Sequence, residues 1–208
     1  MFSNIDTLYA QIFALVGGYF LGSIPFGLLL AKLAGQGDIR NIGSGNIGAT
    51  NVLRTGRKDL ALITLVLDAG KAGIAAFIFL KLFGFIPSLL AGGAALLGHC
   101  YPVWLKFKGG KGVATYFGVL FATAWPIALI ACATWLLSAA VTRMSSLSAL
   151  LATLAAPIAA YFMGKSEIAI LTAILSLVIF IRHKENIGRI LAGTESRIGN
   201  KTRAGNKK

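Results

Sequence analysis

Six long apolar stretches divide this chain, at residues 8–31, 60–80, 85–105, 113–141, 147–163 and 168–181. A helix rises 1.5 Å per residue, so about 20 apolar residues cross a hydrocarbon core of ~30 Å. Inside lipid every backbone N–H and C=O must be paired within the segment, which makes these runs helices. The expected fold is an all-α integral membrane protein. Composition agrees, with 56% hydrophobic and 13% charged residues and a mean hydropathy of +0.77, far from soluble globular usage.

Charge sets the topology. The run 113–141 is too long for one ordinary span, and Trp125 and Pro126 stand near its middle, where a proline suits a helix start and a tryptophan a membrane interface. Broken there, the chain crosses about seven times, some of the helices being short. One side then collects Lys32, Arg40, Arg54, Arg57, Lys58, Lys106, Lys108, Lys111, Arg143 and the basic residues from Arg182 to Lys208, against Lys81 and Lys165 on the other. Lysine and arginine concentrate in cytoplasmic loops. The N-terminus is therefore expected outside and the C-terminus in the cytoplasm. A net charge of +13 would suggest nucleic acid in a soluble chain; here the positive inner loops account for it, and no nucleic-acid partner is expected.

Residues 1–195 are expected to form one membrane domain, and 196–208 a basic, disordered cytoplasmic tail. The "NKT" in that tail fits a glycosylation sequon but lies on the wrong side. The first span is not expected to be a cleaved signal, because Asp6 and no basic residue precede it and the run is too long. Cys100 and Cys132 sit in apolar runs without metal or disulfide spacing and are read as buried thiols.

Every sizeable polar loop falls on the inner side, and three of them carry chemistry. In "DIRNIGSGNIGATNVLRTGRK", from Asp38 to Lys58, glycines permit close backbone approach while Ser44, Asn46, Thr50 and Asn51 offer short polar side chains. Such a loop turns N–H groups toward an anion, and Arg54 adds a bidentate phosphate partner. In "GHCYPVWLKFKGGKGVAT" three glycines surround Lys111 ahead of an apolar helix whose N-terminus favours an anion. Gly112 stands where a nucleotide P-loop needs Ser or Thr, which argues against that motif. In "IRHKENIGRILAGTE" His183 and Asn186 share a helix face.

Asp68 and Lys71 inside the second span are expected to pair toward the bundle interior, and His99 reads as a local hydrogen-bonding or hinge residue. Ser145 and Ser146, in a very short inner loop, either contact a polar substrate or cap the next helix. No carboxylate spacing suits a metal site, so neither metal nor cofactor is expected. Three inner loops rich in phosphate-binding groups suggest two anionic substrates.

"GSIPFG", "GSGNIGATN", "GHCYPVWLKFKGGKGVAT" and "RHKENIGRILAGTE" occur in an order and topology that resembles the bacterial acyl-phosphate:glycerol-3-phosphate acyltransferases, the PlsY family, over nearly the whole chain. The resemblance implies transfer of a fatty acyl group from acyl phosphate to the 1-hydroxyl of glycerol 3-phosphate, giving lysophosphatidic acid and phosphate for phospholipid synthesis. It implies that Ser44, Gly45, Asn46, Thr50, Gly109, Gly110 and Lys111 surround the acyl-phosphate headgroup. Arg54, Lys111, His183 and one of Ser145 and Ser146 would hold glycerol 3-phosphate, and Asn186 would act at the reacting hydroxyl.

The residues suit that chemistry. Acyl phosphate is a mixed anhydride with a good leaving group, so positioning and charge stabilisation suffice. No H-x-x-x-x-D motif is present, since Trp104 and Gly188 stand five residues after the two histidines, and an asparagine is no general base. A substrate phosphate oxygen is the expected proton acceptor. A transporter of phosphorylated metabolites is the alternative, disfavoured because the outer ends offer only Lys81, Lys165 and Glu167. A lipid-binding scaffold would leave the glycine loops unexplained.

Overall fold

The computed structural model describes residues 4–199, with side chains from residue 7. Residues 200–208, most of the expected basic tail with its "NKT", lie outside the described residues. The described chain is helical, with α1 (Asn4–Gly22), α2 (Phe26–Leu33), α3 (Ala49–Val52), α4 (Lys58–Phe83) and α5 (Phe85–Cys100) followed by α6 (Val113–Thr123), α7 (Trp125–Thr142), α8 (Ser145–Phe162), α9 (Ser166–Arg182) and α10 (Lys184–Leu191). By length and composition five segments can cross a membrane, Thr7–Leu33, Lys58–Phe83, Phe85–Leu105, Trp125–Thr142 and Ser145–Phe162. α9 qualifies when joined to α10 across a 66° bend, and α6 is a shorter apolar helix.

The break expected in the run 113–141 falls at Ala124, one residue ahead of Trp125. Pro126 then sits in the first turn of α7, where its missing N–H has no partner to lose. The first run is a candidate span as expected, but its helix is interrupted between α1 and α2. Pro25 cannot donate the backbone bond that would continue α1, and the groups freed there find other partners. Ser23 Oγ donates to Phe20 O (2.8 Å) and accepts from Trp104 Nε1 (2.8 Å), while Lys71 Nζ donates to Ile24 O (2.8 Å).

Small residues set the helix contacts. Gly18 and Gly22 form a G-x-x-x-G face on α1 that packs on α5. A Cβ at Gly18 would stand 2.2 Å from Ala91 O, and one at Gly22 only 1.9 Å from Ala95 O. Gly118 of α6 approaches α4 equally closely, its would-be Cβ 1.9 Å from Ala69 O. Backbones this near gain van der Waals contact where lipid supplies no hydrophobic force between helices. Leu96, Tyr116, Leu120, Ile127, Ile168, Leu175 and Ile179 fill the interior between α5, α6, α7 and α9. Large apolar side chains such as Phe13, Leu137, Val141 and Phe162 point outward, as lipid-facing positions do. The packing predicts that Gly22→Ala forces α1 and α5 apart and costs about 1–3 kcal/mol, read as a lower melting midpoint in detergent. Gly70→Ala, in α4 with nothing within 4 Å of the added carbon, is the control and leaves the midpoint unchanged or raised.

Candidate active site

The loop before α4 is folded around a buried asparagine. Asn51 donates through Nδ2 to Ile39 O (2.8 Å) and accepts through Oδ1 from Ser44 N (3.1 Å) and Ser44 Oγ (3.3 Å). Asn46 Oδ1 accepts from Gly48 N (3.0 Å) at the entry to α3. Gly43 adopts φ +56°, and a side chain there would collide with Arg54 and Asn51. Its absence lets Arg54 lie across the loop, where Nη2 donates to Ser196 Oγ (3.2 Å). At the loop's start, hydrogen bonds from Arg40 hold the Asp38 carboxyl down at about 2.

The glycine loop between α5 and α6 is tightly held. Gly109 N–H donates to Cys100 O (3.1 Å) and Gly110 N–H to His99 O (2.9 Å). Arg182 caps the same two residues from the other side, Nε donating to Gly110 O (3.0 Å) and Nη2 to Gly109 O (2.9 Å), with its guanidinium 5.2 Å over the Tyr101 ring. These donors and acceptors are therefore occupied by protein. Gly112, at φ +83°, is the N-cap of α6, so the chain turns from Lys111 directly into a helix N-terminus.

Helices α9 and α10 meet at His183, which is buried with Nδ1 2.8 Å from Ile179 O. A carbonyl only accepts, so Nδ1 carries a proton, and in the neutral ring Nε2 keeps the lone pair. One turn on, Asn186 is buried between opposite charges. Its Oδ1 accepts from Lys111 Nζ, and its Nδ2 donates to Glu195 Oε1 (2.6 Å). An ammonium on one side and a carboxylate on the other assign the orientation of the amide. Glu195 also accepts from Ser146 Oγ (2.8 Å) through Oε1 and from Arg189 Nε (2.7 Å) through Oε2. Burial raises the Glu195 pKa, but the hydrogen bonds from Asn186, Ser146 and Arg189 outweigh it and hold the carboxyl below its usual value. The segment carrying Glu195 is fastened to the α7–α8 turn, where Ile198 N donates to Arg143 O (2.6 Å) and Arg143 Nη2 to Ile198 O (3.0 Å).

These segments enclose one cavity of about 370 Å³. Of the residues expected at the site, Ser44, Asn46, Thr50, Arg54, Lys111, Ser145, Ser146, His183 and Asn186 all line it. Gly45, Gly109 and Gly110 do not; Gly45 N–H is bound to Ile42 O, and the other two support Lys111 from behind. Glu195 and Arg189 line the cavity as well, without a role assigned from sequence. No local signal sets Glu195 apart from Glu185, the other carboxylate after the last span. The expected pair holds, Lys71 Nζ donating to Asp68 Oδ1 at 2.8 Å, and Asp68 and His99 reach the cavity wall. Most of the rest of the wall is apolar, including Leu65, Val113, Phe117, Trp135 and Leu136. Burial, with a smaller push from the Arg189 charge, lowers the Lys111 ammonium to about 8 against partial compensation by Glu195 and Glu185. No group of three or more His, Cys, Asp or Glu side chains able to hold a metal occurs among the described residues. Cations and a helix N-terminus beside an apolar wall suit an anionic head joined to a greasy tail.

Comparison with known proteins shows the family. The glycerol-3-phosphate acyltransferase family profile matches residues 12–193. Relatives named glycerol-3-phosphate acyltransferase are 57% identical over 197 residues in Maricaulis maris, covering 95% of this chain and 91% of that protein. The Rhodospirillum rubrum relative is likewise 57% identical, covering 91% of each. Two crystal structures of PlsY (YgiH), an integral membrane glycerol 3-phosphate acyltransferase, superpose closely. The glycerol 3-phosphate form gives a TM-score of 0.86 at 41% identity, covering 91% of this chain and 96% of that one. The lysophosphatidic acid form gives 0.83 at 40% identity, covering 93% and 96%. This chain belongs to the glycerol-3-phosphate acyltransferase family.

Proposed function

We propose that the cavity transfers a fatty acyl group from acyl phosphate to the 1-hydroxyl of glycerol 3-phosphate, releasing phosphate and leaving lysophosphatidic acid in the membrane. The observation that carries this reading is the single cavity that joins Arg54, Lys111 and Arg189 to an apolar wall. The acyl tail lies along Leu65, Phe117, Trp135 and Leu136 in lipid-facing helices, and both phosphate heads meet the loop cations. Relatives solved with glycerol 3-phosphate and with lysophosphatidic acid support the acceptor and the product. The excess of lysine and arginine on this face supports a cytoplasmic active site in a bacterial inner membrane, with the C-terminus on the same side and the N-terminus outside.

In this mechanism Ser44, Asn46, Thr50 and Lys111 hold the acyl-phosphate head, while Gly109 and Gly110 act by presenting Lys111. Arg54, Lys111, His183 and Ser145 hold glycerol 3-phosphate. Ser145 and Ser146 both line the cavity, but the Ser146 hydroxyl is given to Glu195. Asn186 Oδ1, fixed inward by Glu195, orients the 1-hydroxyl. Its oxygen attacks the acyl carbonyl, the bond to the phosphate oxygen breaks, and the hydroxyl proton passes to a phosphate oxygen. Alignment of this kind supplies roughly 7–11 kcal/mol of the barrier, and the cations stabilise the charge that develops.

Purified protein given a long-chain acyl phosphate and glycerol 3-phosphate is expected to form lysophosphatidic acid and phosphate in equal amounts, with Lys111→Ala slower by about a hundredfold. Product from acyl-CoA but not from acyl phosphate would overturn the donor. Turnover untouched by Lys111→Ala would overturn the site.

The lowered Lys111 pKa makes a pH prediction. The side chain is an ammonium below about 8 and loses its charge, and its hold on phosphate, above that. The kcat/KM for glycerol 3-phosphate should therefore fall as pH rises through about 8. An acidic limb near 6 belongs to the substrate phosphate. In Lys111→Arg, whatever activity remains should lack the alkaline limb, because a guanidinium stays charged; an unchanged limb would contradict the assignment.

A further inference from the structure

The pair inside α4 does more than neutralise itself. Asp68, Lys71 and His99 are all buried, in helices where ionisable groups are costly. Lys71 Nζ reaches three acceptors, Asp68 Oδ1 (2.8 Å), Ile24 O (2.8 Å) and His99 Nδ1 (2.9 Å), which uses all three of its N–H groups. Lys71 thus joins the break between α1 and α2, its own helix, and α5. His99 Nδ1 is 3.5 Å from Asp68 Oδ1, too far for a good hydrogen bond, so Lys71 is the ring's partner. An ammonium only donates. His99 Nδ1 is therefore an acceptor, and the ring proton sits on Nε2.

That second nitrogen lies against the glycine loop. A Cβ on Gly110 would stand 1.9 Å from His99 Nε2, so the imidazole fills the space the missing side chain leaves. The carbonyls of His99 and Cys100 accept the N–H groups of Gly110 and Gly109. The residue after this clamped pair is Lys111. Both Asp68 and His99 also border the cavity, which puts the network directly behind the loop.

We infer that Asp68, Lys71 and His99 form a buried positioning triad that holds the 109–111 loop, and with it the Lys111 ammonium, in register with Asn186. The inference rests on the proposed role of Lys111 in phosphate binding. A simple ion pair between α4 positions three residues apart would need no histidine from α5. It would also have no reason to fix which ring nitrogen faces Gly110. Here the charge on Lys71 sets the tautomer, the tautomer and shape of the ring set the loop, and the loop sets the cation that meets substrate.

The test is a double-mutant cycle on kcat/KM for glycerol 3-phosphate, run with whichever acyl donor the enzyme turns over. His99→Phe keeps the ring volume and removes both nitrogens; it is expected to lower kcat/KM by roughly tenfold or more, the scale of coupling within one network, with the melting profile retained. His99→Gln, which can return an N–H near the Nε2 position, is expected to recover most of the loss. In a Lys111→Ala background His99→Phe should cost less than about twofold more, because the cation it positions is already gone. Effects that multiply in the double variant, or a Phe variant as active as Gln, would overturn the triad. Should the Phe variant fail to fold, His99→Asn, too short to reach Gly110, serves in the same cycle. Failure of Lys111→Ala alone to lose activity would count against the proposed site instead, and the two failures are distinguishable.

Discussion

A chain of charge-assisted hydrogen bonds from Lys111 through Asn186 to Glu195, and on to Ser146 and Arg189, holds the working end of this molecule together. The five residues come from four segments: Lys111 from the loop before α6, Ser146 from the start of α8, Asn186 and Arg189 from α10, and Glu195 from the strap that follows α10. A buried carboxylate is costly unless its oxygens are satisfied, and Glu195 has three donors. The asparagine between ammonium and carboxylate has no freedom to flip. The apolar helices would pack without this network, but their loops would have no common register.

The helices were legible because a bilayer asks one question of a sequence, the length of each apolar run, and Trp125 with Pro126 answered it again inside the longest run. The interruption of the first run was hidden. Gly22, Ser23, Ile24 and Pro25 keep the stretch apolar enough to read as continuous, and the carbonyl freed there is satisfied by Lys71, 47 residues away.

The glycine loops show the same limit. Sequence showed residues able to expose N–H groups, and the fold uses those of Gly109 and Gly110 internally, with Arg182 closing the loop from 73 and 72 residues away. Glu195 escaped a role because its partners Ser146 and Asn186 are 49 and 9 residues distant. Nothing local distinguishes a buried carboxylate from a solvated one. The positions that local chemistry did single out, Arg54, Lys111, His183 and Asn186, all converge on the cavity.

The proposed site is one that holds substrates rather than attacks them. Ser44 is tied to Asn51 and Ser146 to Glu195, and no cavity hydroxyl is hydrogen-bonded to a histidine among the described residues. An activated nucleophile needs such a base beside it. Direct transfer between two bound substrates is the mechanism this arrangement favours, and it separates cleanly from a covalent route in the first turnover. Rapid mixing of the enzyme with acyl phosphate alone, followed by quenching and phosphate analysis, is the most direct measurement. Direct transfer predicts no early phosphate until glycerol 3-phosphate is added, when phosphate and lysophosphatidic acid appear together. A burst of phosphate equal to the enzyme present, formed before any acceptor is added, would reveal an acyl-enzyme and contradict the account.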